Sequence, residues 1–269
     1  MNKENGRRLC LLLEAGESRY AIEATAIAEV SPPDASGQTL RGIFELHDLS
    51  RLLGGAPELR PGMAVVLDVS PTLAVRVRKV VEVADVALAP WFNIPPGVGT
   101  ALLRLLRGAL VHKDRLYLEL NPEALGAAQT PAPTLDVPSA VPLVVAPPRA
   151  LVFESQGKLF GIPLAWVLQV VPAQEAFCPL DGVRGPVAGL LAHGQALWPV
   201  FSVPALLGGE SHRETLFILA ELAGQHVAIC AARVLGVQAG LVEGTAPGEF
   251  QTQPGGVPAL FLDFQQIFS

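Results

Sequence analysis

Short apolar runs separated by turn residues make up most of the hydrophobic pattern of this chain. Residues 9–15 form one run, Gly16-Glu17-Ser18 supplies a turn, and residues 19–22 continue as a strand, which predicts a β-hairpin. Val75-Arg76-Val77-Arg78 alternates strictly, as a half-buried strand does. We expect its two arginines and the following Lys79 to face solvent along a strand edge. Many short strands of this kind indicate barrels or sandwiches rather than βαβ units.

The second half of the chain repeats the pattern of the first half. Some blocks recur after 140 residues and others after 154 residues, which places an insertion of about fourteen residues in the second copy. A repeat of more than 100 residues is too long for a solenoid unit and indicates domain duplication. The blocks at the shorter offset are Leu11–Glu14, Tyr20–Ile22, Ala28–Val30 and Pro32, and those at the longer offset are Leu52–Gly55 and Val80–Val83.

The predicted helices are short. Leu49, Leu52 and Leu53 have helical spacing and are followed by Gly54-Gly55, which predicts a helix over 48–53 and its counterpart near 203–208. Residues 24–30 fit either a short helix or a strand. The other predicted strands cover 63–69, 73–83, 110–111, 116–120, 150–155, 158–163, 215–222, 225–232 and 259–263.

One uncharged stretch is long enough to cross a bilayer. Pro186–Gly209 contains no Asp, Glu, Lys or Arg in 24 residues. Its three prolines and Gly194 would interrupt a helix repeatedly, so a buried β-hairpin explains the stretch better. We therefore expect no insertion into a membrane. The polar residues 1–8 precede only five apolar residues, too few for the core of a signal peptide.

Composition restricts the partners and the compartment. Half of the residues are hydrophobic and 16% are charged, so each half can build its own core. The formal net charge of −6 argues against a nucleic-acid partner, because phosphate contacts need a clustered positive surface. Three widely spaced cysteines, Cys10, Cys178 and Cys230, fit a reducing cytoplasm better than a disulfide framework.

The residue types that carry catalysis are scattered along the sequence. The chain has no nucleophile elbow, P-loop, HExxH, Rossmann glycine fingerprint or zinc-ligand spacing. The glycines of 95–99 lack the lysine that a phosphate-binding loop requires. The five histidines have no carboxylate at a metal-ligand interval, so we expect neither an enzyme nor a cofactor or metal. They are His47, His112, His193, His212 and His226.

A proline-rich segment separates the two copies. Residues 121–148 hold seven prolines and little charge, which is typical of a semi-rigid, extended spacer. We predict a first domain at 1–121, a linker at 122–148 and a second domain at 149–269.

The opening motifs of both copies resemble the CheW-like domain of bacterial chemotaxis proteins. That family begins with a hairpin whose second strand reads aromatic-Gly-Ile/Val, followed by a Val-x-Glu-Val/Ile stretch. Phe160-Gly161-Ile162 and Val167–Val170 carry this resemblance in the second copy, and Tyr20-Ala21-Ile22 and Ile27–Val30 carry it in the first.

A second family segment has two glycines, with Asn-Leu-Arg before the second, followed by Pro-Val and Asp-Leu. The first copy keeps Leu40-Arg41-Gly42 and Asp48-Leu49 but has Glu45-Leu46 at the Pro-Val position. The second copy keeps two glycines and Pro199-Val200, but it has His193 at the arginine position and Ser202 at the aspartate position.

The resemblance implies a mainly β fold of two tandem CheW-like domains, each a pair of small five-stranded SH3-like β-barrels with short helices. In the family, one barrel docks on the regulatory domain of a CheA-type histidine kinase, and a groove between barrels grips the tip of a chemoreceptor. Nine residues are expected near such partner contacts. They are Glu29, Val30, Arg41, Gly42, Gln169, Val170, Gly189, His193 and Gly194.

We therefore expect a non-enzymatic cytoplasmic adaptor at membrane-associated receptor arrays. Its partners would be a CheA-type kinase, chemoreceptor tips or other CheW-like domains. Because each copy departs from the family pattern, a scaffold for a non-receptor regulatory or localisation partner is the alternative. A third hypothesis is an enzyme or a small-molecule sensor that uses a pocket between barrels, which the lack of clustered polar residues disfavours.

Overall fold

The fold is described from a computed structural model of the chain. The structure describes residues 7–58, 62–95, 98, 100–127, 142–143, 145–173, 176–180, 186–209, 214–251 and 257–264. Strands predominate and the helices are short, which confirms the predicted mainly β fold class.

The first repeat contains two sheets. One has the order β8-β1-β2-β11-β10-β9 and the other β3-β6-β7-β5-β4. The strands are β1 Leu9–Ala15, β2 Ser18–Glu23, β3 Ile27–Ser31, β4 Thr39–Leu40, β5 Phe44–Asp48, β6 Met63–Leu67, β7 Leu73–Val77, β8 Lys79–Asp85, β9 Trp91–Phe92, β10 Leu106–His112 and β11 Arg115–Leu120. The helices are a 3-10 turn at Ala24–Ala26, α1 Leu49–Leu52, α2 Thr100–Leu105 and α3 Pro122–Ala127.

The second repeat also contains two sheets. Their orders are β20-β12-β13-β23-β22-β21 and β14-β18-β19-β17-β16-β15. The strands are β12 Arg149–Ser155, β13 Lys158–Pro163, β14 Val167–Pro172, β15 Phe177–Pro179, β16 Val187–His193, β17 Ala196–Phe201, β18 Leu216–Leu222, β19 Gln225–Ala231, β20 Arg233–Ala239, β21 Val242–Glu243, β22 Glu249–Gln251 and β23 Ala259–Phe261. A 3-10 turn covers Leu164–Trp166 and α4 covers Val203–Leu206.

The two repeats share strand order, direction and irregularities. In each repeat the second strand pairs in parallel with the last strand, with Tyr20 opposite Leu118 and Phe160 opposite Leu260. The β3–β6 register shifts between Ile27 and Glu29, and the β14–β18 register shifts at the equivalent place. A bulge repeated at the same position is part of the fold rather than a local accident. The same β architecture therefore occurs twice.

The compact units of the chain do not coincide with the sequence repeats. Unit 1 consists of Met1–Leu135, Glu175–Arg184 and Gly189–Leu197, and unit 2 consists of Asp136–Gln174, Gly185–Ala188 and Trp198–Ser269. The predicted domain bounds follow the sequence repeat instead, and they stay a prediction.

The predicted spacer at 122–148 contains regular structure at both ends. Helix α3 covers its first residues, and Pro142 forms an isolated β-bridge with Leu262. Its central residues 128–141 lie outside the described part of the chain.

Four other sequence predictions can be compared directly. The helix over 48–53 is confirmed as α1, and Pro186–Gly209 contains the predicted hairpin, β16 and β17, followed by α4. The expectation for Arg76 was wrong. Strand β7 lies inside its sheet, and the Arg76 guanidinium binds Asp48 at 2.9 Å with only 23% of the side chain exposed. The sheets also have six strands in three cases, not five.

Gly161 shows how the two repeats fill the same core position differently. In the parallel strand pairs, Ala21 stands opposite Glu119, whereas Gly161 stands opposite Phe261. A Cβ atom on Gly161 would lie 2.0 Å from the Phe261 ring, which is itself fully buried against Phe250. Only glycine leaves room for the ring.

We expect Gly161→Ala to lower the free energy of unfolding by about 1–3 kcal/mol, because overpacking forces the ring and backbone apart. Urea unfolding followed by circular dichroism measures the change. In a Phe261→Leu background the additional loss caused by Gly161→Ala should be smaller, since the clashing ring is gone. Equal losses in both backgrounds would contradict this explanation.

Candidate functional site

An exposed ion pair joins two of the residues predicted to contact partners. The Arg41 guanidinium donates to Glu29 Oε1 at 2.7 Å, and the two side chains are 67% and 26% exposed. Glu29 lies on β3 and Arg41 follows β4, and these strands are the two ends of the five-stranded sheet. The pair therefore connects both edges of that sheet at the surface.

Asp34 holds the backbone of this site. Its carboxylate accepts from Arg41 N at 2.9 Å, Gly42 N at 2.7 Å and Thr39 Oγ1 at 2.9 Å. Arg41 has φ 56° and Gly42 has φ 62°, so two successive residues are left-handed. Such a conformation is costly for arginine unless its surroundings hold it. Asp34 thus positions Arg41 beside Glu29.

The backbone N–H of Gly42, with Thr39 and the Arg41 N–H, lowers the pKa of the Asp34 carboxyl. The ionised carboxylate is the form that accepts these bonds. Sequence reasoning missed Asp34. An aspartate just after Pro32-Pro33 and before Gly37 is a turn signal that could have revealed it.

Val30 lies on the same strand but on its other side. Residues of β3 alternate in exposure, with Ala28 and Val30 exposed and Ile27, Glu29 and Ser31 half-buried. Val30 therefore does not belong with the ion pair. We call Glu29, Arg41 and Gly42, together with the 76% exposed Ile43, the first-repeat face.

The equivalent strand in the second repeat has a different chemistry. The sequence of β14 contains no charged residue. Leu168 and Val170 are 55% and 37% exposed, and Gln169 is exposed between them. This edge is neutral and apolar, where the first repeat carries an ion pair.

The other three predicted residues lie on the β16–β17 hairpin. His193 is the last residue of β16, and Gly194 makes the turn with φ 61°. Gly189 packs against β15, since a Cβ there would lie 2.4 Å from the Phe177 ring. His193 thus ends a strand, whereas Arg41 lies in a left-handed turn.

The cysteines are buried and reduced. Burial raises the pKa of Cys10 to about 11 and that of Cys230 to about 12. Because only a thiolate reacts readily, we expect both thiols to resist alkylation in the native chain at pH 8. Mass spectrometry of each site before and after urea unfolding measures this protection. Native labelling of Cys230 at the unfolded rate would contradict it.

The same shifts predict how stability depends on pH. Each folded thiol has a pKa above the ordinary value of 9.0, so the unfolded chain loses these protons first. The contribution of the two thiols to the free energy of unfolding is complete below pH 9.0, and it is lost as the pH rises toward about 11 to 12. The Cys230→Ser variant should therefore lose less stability at alkaline pH than the wild type does, as urea unfolding over a range of pH measures.

Within the described ranges, His, Cys, Asp and Glu form no group of three or more that could hold a metal ion. Among the described helices, none has the length and apolar character needed to cross a membrane.

These features define a class of protein: a duplicated β module that carries a positioned, exposed ion pair on its surface. Residues 149–266 match the family model of the CheW-like domain. Among solved structures, the chain is similar to the scaffolding protein TtCheW from Thermoanaerobacter tengcongensis. The identity is 15% and the TM-score 0.37, covering 46% of this chain and 94% of that chain. No curated protein matches the sequence.

Residues 149–266 therefore form a CheW-like domain, and the first half of the chain has the same strand order. The family match supports a general role as a chemotaxis scaffold or adaptor.

Proposed function

We propose that this protein is a non-enzymatic adaptor that couples chemoreceptors to a CheA-type histidine kinase through docking surfaces on its β-sheets. It would work in the cytoplasm, at membrane-associated receptor arrays. The proposal is supported by the CheW-like match and by the predicted contact residues Glu29, Arg41 and Gly42 lying together at the surface.

The Glu29–Arg41 pair is the observation that carries the proposal. An ion pair with one side chain 67% exposed adds little to stability, typically about 0–1 kcal/mol. Yet the chain holds Arg41 in a left-handed conformation through three bonds to Asp34 from its turn. An energetically costly backbone conformation that positions only a weak ion pair is better explained by recognition of a partner than by stability of the fold. Surface charges of this kind set partner choice and association rate.

The test is a reconstitution with receptor-containing membranes and a CheA-type kinase from the same genome. We expect the full-length protein to sediment with the membranes together with the kinase, and to bind the isolated regulatory domain of the kinase. A well-folded protein that binds neither would contradict the proposal.

The neutral edge of β14 favours a second candidate function. Because Leu168, Gln169 and Val170 replace the charged pattern, the second repeat would bind a different, apolar partner surface. In that case the chain is a scaffold for a regulatory or localisation protein. Two measurements on Leu168→Glu distinguish the functions. If the second function holds, the variant binds the kinase like wild type in the reconstitution, and a pull-down with it no longer recovers the other partner that the wild type recovers.

Two weak surfaces on one chain can reinforce each other through effective concentration. If both repeats bind components of one array, either half alone should be recruited less well than the full chain.

A further inference from the structure

Ser31 is a third member of the Glu29–Arg41 ion pair. Its hydroxyl donates to Glu29 Oε1 at 2.7 Å, and the Arg41 guanidinium donates to the same oxygen at 2.7 Å. Glu29 and Ser31 are two residues apart on β3 and both half-buried, so their side chains lie on one face of the strand. Two donors therefore converge on one carboxylate oxygen.

The other carboxylate oxygen of Glu29 stays available. No described residue donates to Glu29 Oε2, and the atom is not buried, so it reaches solvent. An ionised carboxylate oxygen accepts hydrogen bonds and cannot donate. The Arg41 side chain is 67% exposed and has further N–H groups beside the one that binds Glu29. The first-repeat face thus offers an acceptor next to several donors.

The polar side chains of β3 lie beside an apolar core. In the pairing of β3 with β6, Glu29 stands opposite Val66 and Ser31 stands opposite Ala64. Directly opposite side chains lie on the same face of a sheet. Val66 and Ala64 are buried, and they pack with Leu40 in one hydrophobic cluster. An apolar side chain at position 31 would extend this cluster.

The second repeat has an apolar side chain at that position. At the constant offset of 140, the Ser31 position is occupied by Val171, which is 4% exposed, and the Glu29 position by Gln169. His193 stands at the arginine position. All three members of the polar group are thus replaced together. Because valine fills the same place in the same architecture, the hydroxyl is explained by its bond to the carboxylate rather than by the fold.

We propose that Ser31 is a positioning residue for the first-repeat face: with Arg41 it occupies Oε1 of Glu29, so that Oε2 is the atom offered to the partner, and the partner contributes a hydrogen-bond donor to it. This inference deepens the proposed adaptor function and rests on it. An amide at the same place would offer an N–H where the carboxylate offers an acceptor. Gln169 therefore gives the second repeat a different preference, since a donor placed against a donor discriminates between partners.

Glu29→Gln in the full-length protein tests which atom the partner meets. The amide oxygen can still accept from Ser31 and Arg41, whereas the amide nitrogen replaces Oε2. Calorimetric titration with the isolated CheA-type regulatory domain should show at least about a 10-fold loss of affinity, because the partner's donor is left without an acceptor. An affinity equal to that of the wild type would overturn the proposed contact.

Ser31→Ala tests the positioning role in the same titration. The variant should bind about 3- to 10-fold more weakly, as expected for the loss of one hydrogen bond, and Ser31→Thr, which keeps the hydroxyl, should bind like the wild type. In a Glu29→Gln background, Ser31→Ala should cause no further loss, because the contact that it positions is already gone. A merely structural role of Ser31 predicts an equal loss in both backgrounds, and that result would overturn the proposal.

The positioning role can also be measured without a partner. Relaxation of the side-chain ¹⁵Nε of Arg41 reports how firmly its guanidinium is held. Its order parameter should fall in Ser31→Ala and stay unchanged in Ser31→Thr, while that of Arg233, which pairs with Glu154, should be the same in all three proteins. If the wild type does not bind the regulatory domain, the proposed function and the partner contact both fail, and this measurement alone decides the role of Ser31. Unchanged motion of Arg41 in Ser31→Ala would then refute it.

Discussion

Replacing Glu119 with alanine should lower the free energy of unfolding by about 3 kcal/mol, because a buried carboxylate with two partners would be removed. The Glu119 side chain is 1% exposed, accepts from the Arg8 guanidinium, and accepts from Trp91 Nε1 at 2.9 Å. The variant leaves the indole N–H and the guanidinium without their acceptor. Since the Arg8 side chain is 35% exposed, water can hydrogen-bond to its guanidinium in the variant. The loss of stability is therefore smaller than for a fully buried ion pair.

Glu154→Ala is the matched control for Glu119→Ala. Glu154 also pairs with an arginine, Arg233, but the two side chains are 26% and 64% exposed. Its loss should cost less than about 1 kcal/mol, as is usual for surface pairs. Urea unfolding of both variants followed by circular dichroism measures the difference. Equal costs would show that the Glu119 network does not stabilise unit 1 as its burial implies.

Asp48→Ala should cost about 2–4 kcal/mol, because Asp48 serves three partners at once. Its carboxylate caps α1 by accepting from Arg51 N at 3.1 Å, accepts from Glu58 N at 2.8 Å and binds the Arg76 guanidinium at 2.9 Å. The Asp48 side chain is 7% exposed, so removing it leaves a half-buried guanidinium without its counter-ion.

The second repeat supplies the comparison for Asp48. Ser202 occupies the equivalent position before α4, where its side chain makes no capping bond. Ser202→Ala should therefore cost under about 1 kcal/mol. Thermal unfolding monitored by calorimetry compares the two variants, and a larger loss for Ser202→Ala would refute this account of the cap.

The duplication could be predicted because the hydrophobic pattern itself repeats. Offsets of 140 and 154 located the paired strands and the insertion, and the strand orders agree. The alternation at 75–78 also predicted a strand correctly, but not its place in the sheet. Periodicity reports which face of a strand is buried, whereas whether β7 has a neighbour on both sides depends on contacts distant in sequence. Arg76 was misjudged for that reason.

In the candidate site too, some residues could be predicted from the sequence and others could not. Sequence resemblance selected Glu29 and Arg41, and the structure joins them directly. Asp34 was missed although it follows Pro32-Pro33, because a turn signal predicts a turn but not which groups donate to the aspartate carboxylate. The contacts of β15 were also unpredictable, since Ser18 and Pro179 are separated by 161 residues.

Binding of the isolated CheA-type regulatory domain to the full chain tests the central claim, docking through the first-repeat face. Calorimetric titration should show binding by the wild type and at least about a 10-fold loss for Arg41→Glu, with the fold intact. Arg233→Glu, which disrupts the exposed pair with Glu154 in the second repeat, is the matched control and should bind like wild type. Unchanged affinity for Arg41→Glu, or an equal loss for Arg233→Glu, would contradict the account.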